Sequence, residues 1–458
     1  MQGGKYVKVC LLNDSFPPVI DGVANTVYNY ANIMQRGHLA NVLVGTPRYP
    51  DAEYDSYPFE VVPYMSFDTT RFVNGYRAGN PLVIKELIDM ENFRPDIIHS
   101  HCPVVSTFIA RALRTRVEVP IVFTYHTKFD QDIAKNFKTD LVRKEAVRTI
   151  VSNIEACDEV WVVSKGAGEN LRSLGYEGDY IVMNNGVDFP KGRADEDKVK
   201  EVTAPYDLPE DVPLFLFVGR IMKYKGLPLI IDALARLNED GIDFRMVFIG
   251  GGADLEELKE QAAKAGIYNE NGKSKCIFTG PVHDREALRA WNTRADLFLF
   301  PSTYDTNGIV VREAAACGLA AVLIKGSCAA EGITHDRNGF VIEETPESMY
   351  ELLRSLSDNR DHMKDVGAHA MDEIYISWED SVHVAFERYK VVIENKKAGV
   401  YNTKRHKIAG TALEITDDII YDMRELFNAP RRLWDDMLYN FEDIRSDVSN
   451  EVHKFFDF

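Results

Sequence analysis

Paired cysteines are missing from this chain. Its six cysteines, Cys10, Cys102, Cys157, Cys276, Cys317 and Cys328, include no CxxC pair, and several stand in apolar runs. This argues against zinc ribbons and disulfide frameworks, and it predicts buried free thiols in a reducing compartment. Long hydrophobic runs are missing too. No segment approaches the ~18 consecutive apolar residues of a membrane span. The start, Met1-Gln2-Gly3-Gly4-Lys5-Tyr6, lacks the apolar stretch and cleavage site of a secretory leader. Positive charge is scarce: 53 Lys and Arg stand against 71 Asp and Glu, for a net charge of −18 over 458 residues. Such a surface repels phosphate backbones, so no nucleic-acid partner is expected. A cytoplasmic protein of two or three domains is the expectation.

What is present is an alternation of short apolar runs and amphipathic stretches. Runs at 6–12, 39–45, 97–100, 121–125, 159–163 and 180–183 read as buried strands. Their Val/Ile/Leu-rich, non-alternating character suits a parallel sheet covered on both faces. Helical stretches at 25–35, 81–92 and 140–156 lie between them, which is the βαβ rhythm of a doubly wound domain. Residues 191–211 carry a charged run followed by Pro205 and Pro209 and read as a linker. The rhythm then restarts, with strands at 214–218, 244–249, 276–279, 297–300 and 320–324 and helices at 227–238 and 254–265. The fold class is α/β, with two Rossmann-like doubly wound domains facing a cleft and a helical C-terminal extension. The expected divisions are 1–190, 191–378, a helix returning to the first domain at 379–400, and an acidic helical extension at 401–458. In that extension apolar residues recur at three- and four-residue spacing, so it is expected to pack on its own chain, self-associate or bind a partner.

Ligands of open α/β sheets bind at the carboxyl ends of the strands, which singles out five loops. After the first strand, Pro17 to Gly22 lead into a helix whose start offers free N–H groups, and Gly22 lets backbone approach a phosphate. The strand 121–125 ends at His126, placed to bond a sugar hydroxyl or to be a satisfied structural histidine. The strand 214–218 runs into Gly219-Arg220 and on to Lys225-Gly226, two cations able to neutralise a diphosphate. Gly250-Gly251-Gly252 is a weak phosphate-loop signal without GxGxxG spacing. The run from Asp305 to Glu313 brackets a helix start at Asn307, Gly308, Ile309 and Val310, whose amides can hold a phosphate or hydroxyl.

Together, in this order, the motifs resemble those of the retaining family 4 glycosyltransferases of the GT-B fold, over the first ~400 residues. The most specific match is the acid-x7-acid element Asp305–Glu313, followed by Gly219-Arg220 through Lys225-Gly226. Supporting matches are Tyr125-His126-Thr127, Val163-Ser164, Asn185-Gly186-Val187-Asp188 and Ser377-Trp378. The resemblance implies that Arg220 and Lys225 bind the donor diphosphate as leaving group, with Gly22 and Gly219 beside it. Glu313 would bind the ribose. Asp305 and the amides of Asn307, Gly308, Ile309 and Val310 would hold the sugar and phosphate, with His126 near the sugar. No acidic DxD element stands at a suitable strand end, so neither metal nor cofactor is expected beyond the nucleotide-sugar donor, expected to be UDP-glucose. One departure is that Asp305 stands where the family usually has glutamate.

The stretch His126-Thr127-Lys128-Phe129-Asp130 is similar to bacterial diacylglycerol glucosyltransferases of the family, which implies a lipid or carbohydrate acceptor and peripheral contact with the inner face of the membrane. Candidate basic contacts are Lys128, Lys135, Lys138, Arg143, Lys144 and Arg148, with Arg111, Arg114 and Arg116 nearby, although interspersed acids also suit a solvated helix face. Three alternatives stand beside this reading: a GDP-mannose-dependent mannosyltransferase, transfer to a soluble or polysaccharide acceptor, and a non-catalytic sugar-nucleotide-binding protein.

Overall fold

The computed structural model describes residues 6–19, 21–69, 77–80, 83–129, 140–270 and 272–401. The first lobe carries strands β1 (Val7–Leu12), β2 (Ala40–Pro47), β3 (Glu60–Tyr64), β4 (Ser66–Asp68), β5 (Arg77–Gly79), β6 (Ile97–Ser100), β7 (Ile121–Tyr125), β8 (Glu159–Val162) and β9 (Ile181–Val182). The second carries β10 (Leu214–Val218), β11 (Arg245–Ile249), β12 (Cys276–Gly280), β13 (Leu297–Phe300), β14 (Ala321–Ile324) and β15 (Phe340–Ile342). The helices described are α1 (Gly22–Arg36), α2 (Ile84–Phe93), α3 (Val105–Val117), α4 (Asp140–Glu155), α5 (Lys165–Ser173), α6 (Glu196–Thr203), α7 (Leu227–Glu239), α8 (Leu255–Lys264), α9 (Arg285–Arg294), α10 (Ile309–Ala316), α11 (Pro346–Leu356), α12 (Arg360–Glu373) and α13 (Trp378–Lys397).

Both large sheets are parallel. The first runs β3-β2-β1-β6-β7-β8-β9 and the second β12-β11-β10-β13-β14-β15. Each reverses its order once, between β1 and β6 and between β10 and β13. Those reversals open the crevices where doubly wound sheets take ligands. Strand composition explains the burial. In β1, Val9 and Leu11 pack against α1 and α13, while Cys10 and Leu12 face a second core with α3. Successive side chains of a strand alternate between faces, so an unbroken apolar run demands cover on both. The second lobe closes around one larger core that holds Leu214 to Phe217 and Leu297 to Phe300.

The returning helix α13 belongs physically to the first lobe. Trp378, Val382, Tyr389 and Ile393 are buried against it, and the Trp161 and Tyr389 rings stack at 5.4 Å. Ser377 caps α13 by accepting from Asp380 N at 3.0 Å. The two crossings between lobes lie side by side, since Val187 bridges Ser377 and a Cβ on Gly186 would collide with the Trp378 backbone.

The linker expectation for 191–211 needs correction, because it holds α6, which packs on α9. Asp195 caps α6 by accepting from Asp197 N at 2.9 Å, and Ala194 N donates to Thr293 Oγ1 at 2.8 Å. The charges that suggested a solvated stretch are a helix pattern, with Glu196 and Asp197 in the first turn and Lys200 in the last. The short strands β3 and β15 and the antiparallel pair β4–β5 were also not anticipated. Residues 402–458, most of the expected acidic extension, lie outside the described residues.

Candidate active site

In the second lobe the loop after β10 places its two cations differently. Arg220 is exposed and makes no hydrogen bond or ion pair among the described residues. Lys225 is 7% exposed, and its Nζ lies 2.5 Å from Asp305 Oδ1. The rings of Tyr224, Phe300 and Tyr304 surround that ammonium at 5.8, 5.8 and 6.0 Å, where their electron-rich faces favour a cation. The Gly250-Gly251-Gly252 run packs closely against the Arg220 loop. A Cβ at Gly250 would strike Gly219 O and one at Gly252 would strike Ile221 O, so the bare backbone supports the Arg220 loop from below. Ile221 N donates to Gly251 O at 3.0 Å.

The loop after β13 carries the other half of the donor-side cluster. Asp305 Oδ2 and both polar side-chain atoms of Asn307 are buried without a partner among the described residues. Gly308 takes φ of 58°, a left-handed conformation that favours glycine, and turns the chain into α10. No side chain caps α10, so the amides of Ile309 and Val310 remain available at a positive helix end. Glu313 is 8% exposed and sits one turn in, with Oε1 2.6 Å from Arg285 Nη2. Burial raises its carboxyl, and Arg285 offsets only part of that rise. Arg285 also lies 3.6 Å from Asp188 and stacks over Phe189 at 4.4 Å.

In the first lobe Gly22 is the first residue of α1. Asp21 caps that helix, accepting from Val23 N and Ala24 N at 2.7 and 2.8 Å. A Cβ on Gly22 would meet nothing within 4 Å, so no close packing requires glycine there. His126 is 8% exposed at the end of β7, and its Nε2 is 3.0 Å from His101 Nδ1. His99 lies against His101, with ring centroids 3.9 Å apart, and bonds Thr124 Oγ1 at 2.7 Å and the Tyr389 hydroxyl at 2.5 Å. Burial lowers the pKa of all three, that of His126 to about 3, so all are neutral.

The two halves meet. Thr306 Oγ1 donates to His126 O at 2.7 Å, Ser164 Oγ to Thr306 O at 2.5 Å and Lys128 Nζ to Thr303 O at 3.2 Å. Glu331 of the second lobe accepts from Lys165 N and Gly166 N, at 2.7 and 2.6 Å, at the start of α5 in the first. The structure thus brings His126, Lys225, Asp305, Asn307 and Gly308 together where the lobes meet. Among the described residues no hydrogen bond or ion pair ties Arg220 or Gly22 to this cluster.

Sequence reasoning missed Arg285, His99 and His101. His101 follows β6 at the switch point, a position that marked it. Arg285 gave no signal, because it meets Glu313 only through the fold.

Among the proposed membrane contacts Arg114 needs correction. It is 5% exposed, donates to Ala156 O at 2.8 Å and pairs with Asp158, so it cannot reach a headgroup. Arg143 and Arg148 pair within α4 with Asp140 and Glu145. Lys135 and Lys138 lie outside the described residues. Among the described residues no helix is long and apolar enough to cross a membrane.

Two doubly wound lobes closing a cleft, with a buried lysine–carboxylate pair facing an uncapped helix start, define a protein of the GT-B class. The profile described as "Glycosyltransferase Family 4" matches residues 20–190, and that described as "Glycosyl transferases group 1" matches 198–372. The chain belongs to the family 4 glycosyltransferases of the GT-B fold, which transfer a sugar from a nucleotide sugar. It is 24% identical over 321 residues to the alpha-monoglucosyldiacylglycerol synthase of Streptococcus pneumoniae, spanning 68% of this chain and 70% of that one. It is 29% identical over 307 residues to the sulfoquinovosyl transferase SQD2 of Arabidopsis thaliana, spanning 65% and 56%. The crystal structure of Anabaena HepE in complex with UDP superposes with a TM-score of 0.62 at 18% identity, covering 86% of this chain and 99% of that one.

Proposed function

We propose that the protein is a retaining, metal-independent hexosyltransferase that moves glucose from UDP-glucose to the hydroxyl of diacylglycerol or a glycolipid. The observation that carries the reading is the cluster at the start of α10. Among the described residues Asp305 Oδ2 and both polar atoms of Asn307 are buried and unpartnered, and Asp305 also pairs with Lys225, in a fold where such groups are normally satisfied. Sugar hydroxyls supply the bonds they lack.

Lys225 and Arg220 neutralise the diphosphate, and the amides of Ile309 and Val310 receive its oxygens. Glu313 accepts from the ribose hydroxyls. The acceptor oxygen bonds to the anomeric carbon on the face the nucleotide leaves. The carbon–oxygen bond to phosphate breaks with its electron pair on UDP, and the acceptor proton passes to a departing phosphate oxygen. The protein's share is preorganised charge and positioning. The lipid acceptor draws support from the synthase relative, named for a glucosyldiacylglycerol product. Free thiols agree with action on the cytoplasmic side.

The test combines thermal stabilisation by UDP, GDP and ADP with transfer of labelled glucose to diacylglycerol vesicles, in chelator and with Glu313→Ala as control. A saturating nucleotide at roughly 100 times its Kd adds about 2.7 kcal/mol. Stabilisation by UDP alone, lost in Glu313→Ala, and an α-linked lipid product support the proposal. GDP selectivity, a β-linked product or dependence on added metal refutes the corresponding part.

A further inference from the structure

Between His101 and His126 there is one proton to place. Both imidazoles are neutral, so each carries a single N–H, and which nitrogen holds it depends on the bonds the ring makes. The contact joins His101 Nδ1 to His126 Nε2 at 3.0 Å, and one of these two must donate. The remaining nitrogens differ. His101 Nε2 is buried with no partner, inside a residue that is 2% exposed. His126 Nδ1 makes no hydrogen bond to protein and is not among the sealed polar atoms, so it is the nitrogen that reaches the cleft.

If His126 Nε2 donated, the His101 proton would sit on Nε2, leaving a buried N–H with no hydrogen-bond acceptor. Orphaned N–H groups are the rarest unsatisfied groups in protein interiors. If His101 Nδ1 donates, its bare Nε2 buries only an unused lone pair and no N–H is orphaned. The second arrangement puts the His126 proton on Nδ1. We infer that His101 is a positioning residue that fixes His126 as a hydrogen-bond donor, its Nδ1–H directed at an oxygen of the bound donor sugar, and so denies it the role of general base. This rests on the reading that His126 lies beside that sugar.

The surroundings hold the pair in place. Thr306 Oγ1 on His126 O fixes the backbone, and His99, bonded at both nitrogens, packs against His101. Tyr389 brings α13 into the same chain of contacts.

Nitrogen-15 spectra of the full chain with labelled histidine, taken without substrate, read the tautomers directly. The expected result is a protonated Nδ1 and bare Nε2 for His126; a protonated His126 Nε2 overturns the inference. Kinetics supply the second arm. The His101→Leu variant removes the donor, and kcat should fall about 10-fold or more. Its UDP affinity should stay within about twofold, because His126 does not contact the nucleotide in this arrangement. His101→Asn, whose amide nitrogen overlays Nδ1, should recover most of that loss, which a merely structural role would not give. Unchanged kcat in folded His101→Leu overturns the positioning role. Full activity in His126→Ala would overturn the placement of His126 at the sugar, a failure distinct from that of the tautomer, which the spectra decide alone.

Discussion

Three imidazoles buried together make the first lobe sensitive to acid. In the folded chain burial holds the His126 pKa at about 3 against 6.5 unfolded, and it places His99 and His101 well below 6.5 as well. Between those values the unfolded chain binds protons that the folded lobe refuses. The contribution to stability is therefore complete above about pH 6.5 and is lost as pH falls. For His126 each pH unit between 6.5 and its folded value costs about 1.4 kcal/mol. At about pH 5 His126 alone costs ~2 kcal/mol, and the lowered values of His99 and His101 act in the same direction. Asp14 acts in the opposite sense. Burial raises its carboxyl, so it recovers stability by taking up a proton as pH falls through that raised value. The assay is urea unfolding at about pH 7.5 and about pH 5, read by pulsed hydrogen exchange on peptides from β6 and β7. The wild type should lose at least ~2 kcal/mol, and a His101→Asn/His126→Asn double variant clearly less. A wild-type loss below about 1 kcal/mol, or the same loss in the double variant, would refute the claim that these histidines are neutral when folded.

Further outcomes follow from other contacts. Lys225→Ala leaves the Asp305 carboxylate without its cation, so kcat should fall about 100-fold or more, measured in steady-state transfer. Arg285→Ala removes the charge that offsets part of the burial-driven rise of the Glu313 carboxyl. UDP binding should then weaken by about 1.5–3 kcal/mol and weaken further toward acid pH, as titration calorimetry across pH can show. Glu331→Ala removes a cap made across the lobes. Scattering should report a more open molecule in solution, with each lobe's melting unchanged. Gly250→Ala drives a methyl into Gly219 O, and the second lobe should melt earlier by differential scanning calorimetry.

The order of the lobes was legible because buried parallel strands carry an unmistakable apolar run, and because ligand loops sit at strand ends. Arg220, Lys225, Asp305 and Glu313 could be proposed for the same reason: each lies within one loop or its following helix. Arg285 could not, since the β13 crossover brings it to Glu313 across 28 positions. Glu331 escaped notice because its partners belong to the other lobe, 165 and 166 positions away. The helix α6 was hidden because only Val199 and Val202 supply it an apolar face, and both are half-buried. Arg114 looked like a surface charge because burial of an arginine is decided by a partner, here Asp158, that periodicity cannot reveal.

Residues 303–306 are held to the first lobe by Lys128, Ser164 and the backbone of His126, while Asp305 among them holds Lys225. If the donor sugar binds beside Asp305 as proposed, closure of this loop on the first lobe keeps it from water, the most abundant competing nucleophile. Wasteful hydrolysis of the donor then depends on how often those three bonds let go before an acceptor arrives. Weakening them should raise the fraction of sugar lost to water even where the transfer rate itself is unchanged.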